Sequence, residues 1–157
     1  MKKFSLASAL AILAIGFGFE TEVAAQPKGW VVDCKTDRMT DVRSCLIAKA
    51  VWSEAARQYL MLAITDDRVG IVAKGTGSGA RARIRVDGGT LFETSDCSRG
   101  MCSFDREKSI EIIKLIEDGR RALIEFAFQT GQVVGPEEIP INGYAEALAK
   151  PGSTSSK

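Results

Sequence analysis

One stretch, RARIRVDGGTLFET at 81–94, restricts the fold more than any other. Ala82, Ile84 and Val86 alternate with Arg81, Arg83 and Arg85. In an extended chain the apolar side chains therefore share one side and the arginines the other. Asp87, Gly88 and Gly89 then supply residues that tolerate a positive φ, which predicts a β-hairpin into TLFET. The same period recurs in GWVVDCK, where Trp30, Val32 and Cys34 oppose Val31 and Asp33, and in RRALIEFAFQT, where Ala122, Ile124, Phe126 and Phe128 point inward. KTDRMTDVRS is polar and reads as a loop. CLIAKAVW and YLMLAIT read as strands, the second nearly all apolar and therefore central. DRVGIVAK follows a turn at Asp66–Asp67. VVGPEEIPING is extended and broken by Pro136 and Pro140, so it belongs at a sheet edge if in a sheet at all. One helix is predicted over REKSIEIIKLIEDG, capped by Asp105, ended by Gly119 and largely buried behind its isoleucines. YAEALAK adds a terminal helical turn. Many short strands with one short helix predict a mainly β fold, an antiparallel β-sandwich.

The first 25 residues read as a signal peptide. Lys2 and Lys3 precede an apolar run to Phe19, and Val23 and Ala25 fit the small-residue cut site. That run is short for a membrane span, which needs about 20 residues. Residues 26–150 then form a single disulfide-stapled β-rich domain, and 151–157 a disordered tail. No later segment reads as transmembrane. An exported chain meets an oxidising compartment, so Cys34, Cys45, Cys97 and Cys102 read as disulfides. Three pairings are open; Cys34–Cys45 and Cys97–Cys102 are favoured because each joins cysteines close along the chain.

No histidine occurs anywhere. That excludes Ser-His-Asp and Cys-His nucleophile systems and histidine-containing zinc sites. Cys97 and Cys102 are too far apart for a C-x-x-C redox couple, and the four cysteines do not form two C-x-x-C zinc knuckles. Gly75, Gly77 and Ala80 match G-x-G-x-x-A, but a strand-like run follows where a dinucleotide site needs a helix; a flexible hairpin loop is the better account. The adjacent carboxylates Asp66–Asp67 and Glu137–Glu138 would point apart on a strand and cannot flank one substrate. No catalytic residue, metal ligand or cofactor site is assigned. The formal charge of +1 lacks the basic field of a nucleic-acid binder. Two surfaces remain as candidates. Arg81, Arg83 and Arg85 form a basic stripe for an anion, or simply a solvated sheet face. Arg99, Gly100 and Met101 form a rigid protruding tip held by the Cys97–Cys102 staple, or simply an ordinary turn.

The order of features resembles the invasion-associated locus B family of bacterial secreted proteins. GWVVDC, SCLIAKAV, IRVDGG, DCSRGMCSF, EDGRRALIEFAF and IPINGYAEAL carry the resemblance, from about Gly29 to Leu148. One departure is the polar, basic KGTGSGARAR before the turn, where the family is apolar and contains proline. The resemblance implies a periplasmic or secreted non-enzymatic binding protein that interacts with host cells and contributes to virulence. Its partner would be a protein or an anionic ligand of the envelope or host surface. An envelope maintenance factor, an inhibitor or chaperone of another exported protein, is the alternative. A hydrolase finds no supporting constellation.

Overall fold

The computed structural model describes residues 29–75 and 77–149. The signal peptide and the tail read from the sequence lie outside these residues. The strands are β1 Val31–Thr36, β2 Arg43–Ser53, β3 Gln58–Ile64, β4 Val69–Ala73, β5 Gly79–Val86, β6 Leu91–Thr94, β7 Cys97–Ser98, β8 Met101–Ser103, β9 Arg121–Phe128 and β10 Val133–Pro140. Helix α1 spans Arg106–Asp118 and α2 spans Tyr144–Leu148. β1-β2-β3-β4-β8-β7 make one sheet and β10-β9-β5-β6 the other. Every strand pairing is antiparallel. The sheets stack face to face, with β10 over β2 and β3, β9 over β3 and β4, and β5 over β7 and β8. The fold is the expected antiparallel sandwich.

Alternation builds the core. Leu60, Leu62 and Ile64 of β3 share their cross-strand rows with Ala73, Ile71 and Val69 of β4. All six are buried. Ala82, Ile84 and Val86 of β5 and Ala122, Ile124, Phe126 and Phe128 of β9 join them from the other sheet in a single apolar cluster. Fully burying one such large side chain contributes about 1.5–3 kcal/mol. β10 forms an edge of its sheet, as its prolines require, with a bulge between Val134 and Glu137.

Both disulfides form as the short-range pairing predicts, Cys34–Cys45 and Cys97–Cys102. On the chain-entropy estimate loops this short add about 3 and about 2 kcal/mol. The bridges point to an oxidising, non-cytoplasmic setting. No helix of the described residues is long and apolar enough to cross a membrane.

α1 departs from expectation. Asp105 caps it, accepting from the Lys108 backbone N–H at 2.9 Å. Only Ser109, Ile112 and Ile116 are buried, however, while Ile110 and Leu115 are exposed. The helix rests on the end of the sandwich, where the Val69 N–H donates to Ser109 Oγ at 3.0 Å. A helix with a neighbour on one side buries one stripe, whatever its isoleucine content. Gly119 ends it in extended geometry, not a left-handed cap. A Cβ there would stand 2.6 Å from the Leu115 carbonyl oxygen and 2.8 Å from Val86 Cγ1.

The chain's two described ends meet in one latch. Trp30 Nε1 donates to the Ile141 carbonyl at 3.3 Å and its ring meets Tyr144 edge-on at 5.1 Å. Lys49, on the inner side of β2 and only 9% exposed, donates from Nζ to the Pro140 carbonyl at 2.7 Å. Its ammonium also lies 5.7 Å from the Trp30 ring centroid. Burial lowers the Lys49 pKa. β1 of one sheet is thereby tied to the segment that follows β10 of the other.

Candidate functional site

The arginine stripe lies on the outer face of the four-stranded sheet, but its three members have different surroundings. Cross-strand register puts Arg83 between Glu93 of β6 and Glu125 of β9. Arg83 Nε donates to Glu125 at 2.9 Å, and its terminal nitrogen reaches the same oxygen. Glu125 is 15% exposed, so this pair is partly screened from water. Arg81 stands 3.6 Å from Glu125 and 3.8 Å from Glu93. The stripe is therefore a charge ladder over two of its three positions, not a row of free cations.

Arg85 differs. It pairs across the strands with Leu91 on one side and Leu123 on the other. It is exposed, and no ion pair forms on it among the described residues. Leu91 and Leu123 are both more than a third exposed. With Pro136 and the Arg83–Glu125 pair they line an open groove of about 220 Å³. An uncommitted guanidinium beside apolar walls can hold an anionic head through paired hydrogen bonds while the walls shed water against an apolar body.

The Cys97–Cys102 hairpin is bridged by its disulfide, and its tip does not stand free of the sheet. Arg99 and Gly100 form its turn, with φ of 56° and 116°. The Ala73 N–H donates to the Gly100 carbonyl at 2.9 Å, which lays the tip against the end of β4. A Cβ on Gly100 would stand 2.9 Å from the Ala73 carbonyl oxygen, so glycine is needed twice over, for its φ and for this approach. Arg99 and Met101 remain exposed, while Gly100 is half-buried.

Docking the tip on β4 joins Met101 to residues that the sequence did not mark as surface. Met101 pairs with Val72, Val72 with Met61, and Trp52 with Tyr59 one row further on. The Trp52 and Tyr59 rings meet edge-on at 4.8 Å. YLMLAIT reads as a central strand and is one, yet Tyr59 is exposed and Met61 half-exposed on its outer side. The signal was present in the double-sided apolarity, but nothing local says which side stays open.

Other motifs find structural roles. Gly75 lies against the Phe128 ring, where a Cβ would come within 2.6 Å of Cζ, and KGTGSGARA leads into β5 without a helix. Asp67 pairs with Arg106 at 3.3 Å and Glu138 with Arg121 at 3.4 Å. Among the described residues no group of three His, Cys, Asp or Glu is placed to hold a metal ion. No protein-family model, curated protein or solved structure matches the chain.

Proposed function

We propose that the chain is a periplasmic or secreted, non-enzymatic binding protein of the kind its resemblance to the invasion-associated locus B family implies, acting at the bacterial envelope or the host surface. The carrying observation is Arg85, exposed and, among the described residues, without an acidic partner between Leu91 and Leu123 at the groove. That pairing of one cation with apolar walls favours an anionic amphiphile, such as the phosphate-bearing acylated glycolipid of an outer membrane, over a polysulfated sugar.

The test compares retention on immobilised lipopolysaccharide and on heparin at about 0.15 M salt, where longer-range charge effects are screened. The wild type should be held more firmly by lipopolysaccharide, and Arg85→Ser should lose that hold with its melting temperature unchanged. Arg99→Ser should behave as wild type. Equal retention of wild type and Arg85→Ser, or none for either, would remove the proposal.

A further inference from the structure

The outer face of the six-stranded sheet is apolar over most of its width. Two adjacent rows run across its strands. Ala50, Met61, Val72 and Met101 form one row, each paired to the next, which is tall over its last three members. Beside it runs a row from Val31 through Ala48, Ala63 and Gly70 to Ser103, low everywhere but at Val31. Ala48 and Ala63 are buried, and Val31, the partner of Ala48, is exposed. Met101 leans toward Gly70, its Sδ 3.7 Å from where a Cβ would stand. Neither row carries a charged side chain. At the β1 margin, Asp33 and Lys35 pair with each other at 3.8 Å. Both helices sit elsewhere, α1 against β4, β5 and α2, and α2 against α1 and β1.

We propose that this face is the interface of a two-fold homodimer in which the tall row of each copy fills the low row of the other. A two-fold axis lying between the rows and parallel to them exchanges the two, so a ridge beside a furrow is complementary to itself. Trp52 and Tyr59 flank the ridge, and a charge-depleted centre rich in Met, Trp and Tyr is the composition of an interface core. The 6, 11, 7, 5 and 3 residues of β1, β2, β3, β4 and β8, each covering about 4.8 Å by 3.3 Å, give a footprint of roughly 510 Å² per copy. Two such footprints just clear the total of about 1,000 Å² expected of a specific contact, so the dimer is modest and depends on concentration. The pairing does not rest on the ligand assigned to the arginine face. It leaves both arginine faces turned outward, as a bivalent binder requires.

Sedimentation of the oxidised protein from about 1 μM to about 1 mM tests this. The wild type should pass from monomer to dimer. Met101→Lys, at an exposed position that the monomer tolerates, should weaken association about tenfold or more. Ala63→Leu enlarges the apolar face but fills the furrow; it should also weaken the dimer, whereas unspecific apolar association would strengthen. Arg85→Ser should associate as wild type. A wild type that stays monomeric throughout overturns the proposal, and so does a dimer indifferent to Met101→Lys or tightened by Ala63→Leu. Monomers whose Trp52 emission shifts on phosphatidylglycerol vesicles would assign the face to lipid and overturn it equally.

Discussion

Gly79 opens β5 beside the Cys97–Cys102 bridge of the other sheet. A Cβ there would stand 2.6 Å from Phe126 Cζ, 3.0 Å from Cys102 Sγ and 3.1 Å from Cys97 Cβ. Its role is close packing of the four-stranded sheet on the Cys97–Cys102 bridge. Gly79→Ala should destabilise the oxidised protein by about 1–3 kcal/mol, the range for overpacking a core. Urea unfolding measures it, and an unchanged midpoint would show that the bridge is not packed there. In the sequence this glycine sits among several in GTGSG and reads only as loop flexibility, because the partner ring is 47 positions away in the chain. Arg83 is misread for the same reason. Alternation puts it beside Arg81 and Arg85, but its energetic partner is Glu125, supplied by the neighbouring strand.

At the scale of elements, local chemistry predicted most of what formed. Period-two runs became strands, D-G-G became the β5–β6 turn, and Asp105 capped α1. The cap also makes α1 sensitive to acid. The backbone hydrogen bond from Lys108 lowers the Asp105 pKa, with the Lys108 side chain adding to it. A carboxylate depressed in the folded state contributes stability above its unfolded pKa of about 3.9, and that contribution fades as pH falls through the lower folded value. Asp105→Ala should therefore lower the melting temperature at pH 7, and the gap from wild type should narrow as pH drops below about 4. A gap that stays constant down to pH 3 would assign the loss to something other than the ionised cap. The burial of α1 was not legible. Its isoleucines cover a broad arc, but only the stripe of Ser109, Ile112 and Ile116 is buried.

For the whole molecule, the latch of Trp30, Lys49 and Tyr144 closes the sandwich near both described ends. Burial, followed by the nearby Glu117 carboxylate, pushes the Tyr144 hydroxyl up to about 12. A raised pKa means that the fold favours the neutral phenol. This stability is complete below the unfolded value of about 10 and is lost as pH rises toward 12. Lys49 acts in the opposite sense. Its lowered pKa makes the buried charge a cost at neutral pH, relieved as pH climbs through the folded value toward about 10.4. Tyr144→Phe removes the first effect and keeps the second. Its urea midpoint should fall less than that of wild type between about pH 10 and pH 11.5. Parallel curves for the two proteins would show that Tyr144 is not held neutral by the fold.

Periodicity, turn residues and cysteine spacing by themselves determined the β class, the positions of the longer strands and the edge placement of β10, and they favoured the disulfide pairing that formed. Each depends on neighbours within a few residues or on the two-residue repeat of an extended chain. Only the tertiary structure decided which arginine of the stripe forms no ion pair among the described residues, that the hairpin tip lies down on β4, and that the outer side of an apolar central strand remains open. Those outcomes depend on register between strands far apart in the chain. The free energy of a charge or an apolar side chain is set by what the fold places across from it, not by what precedes it.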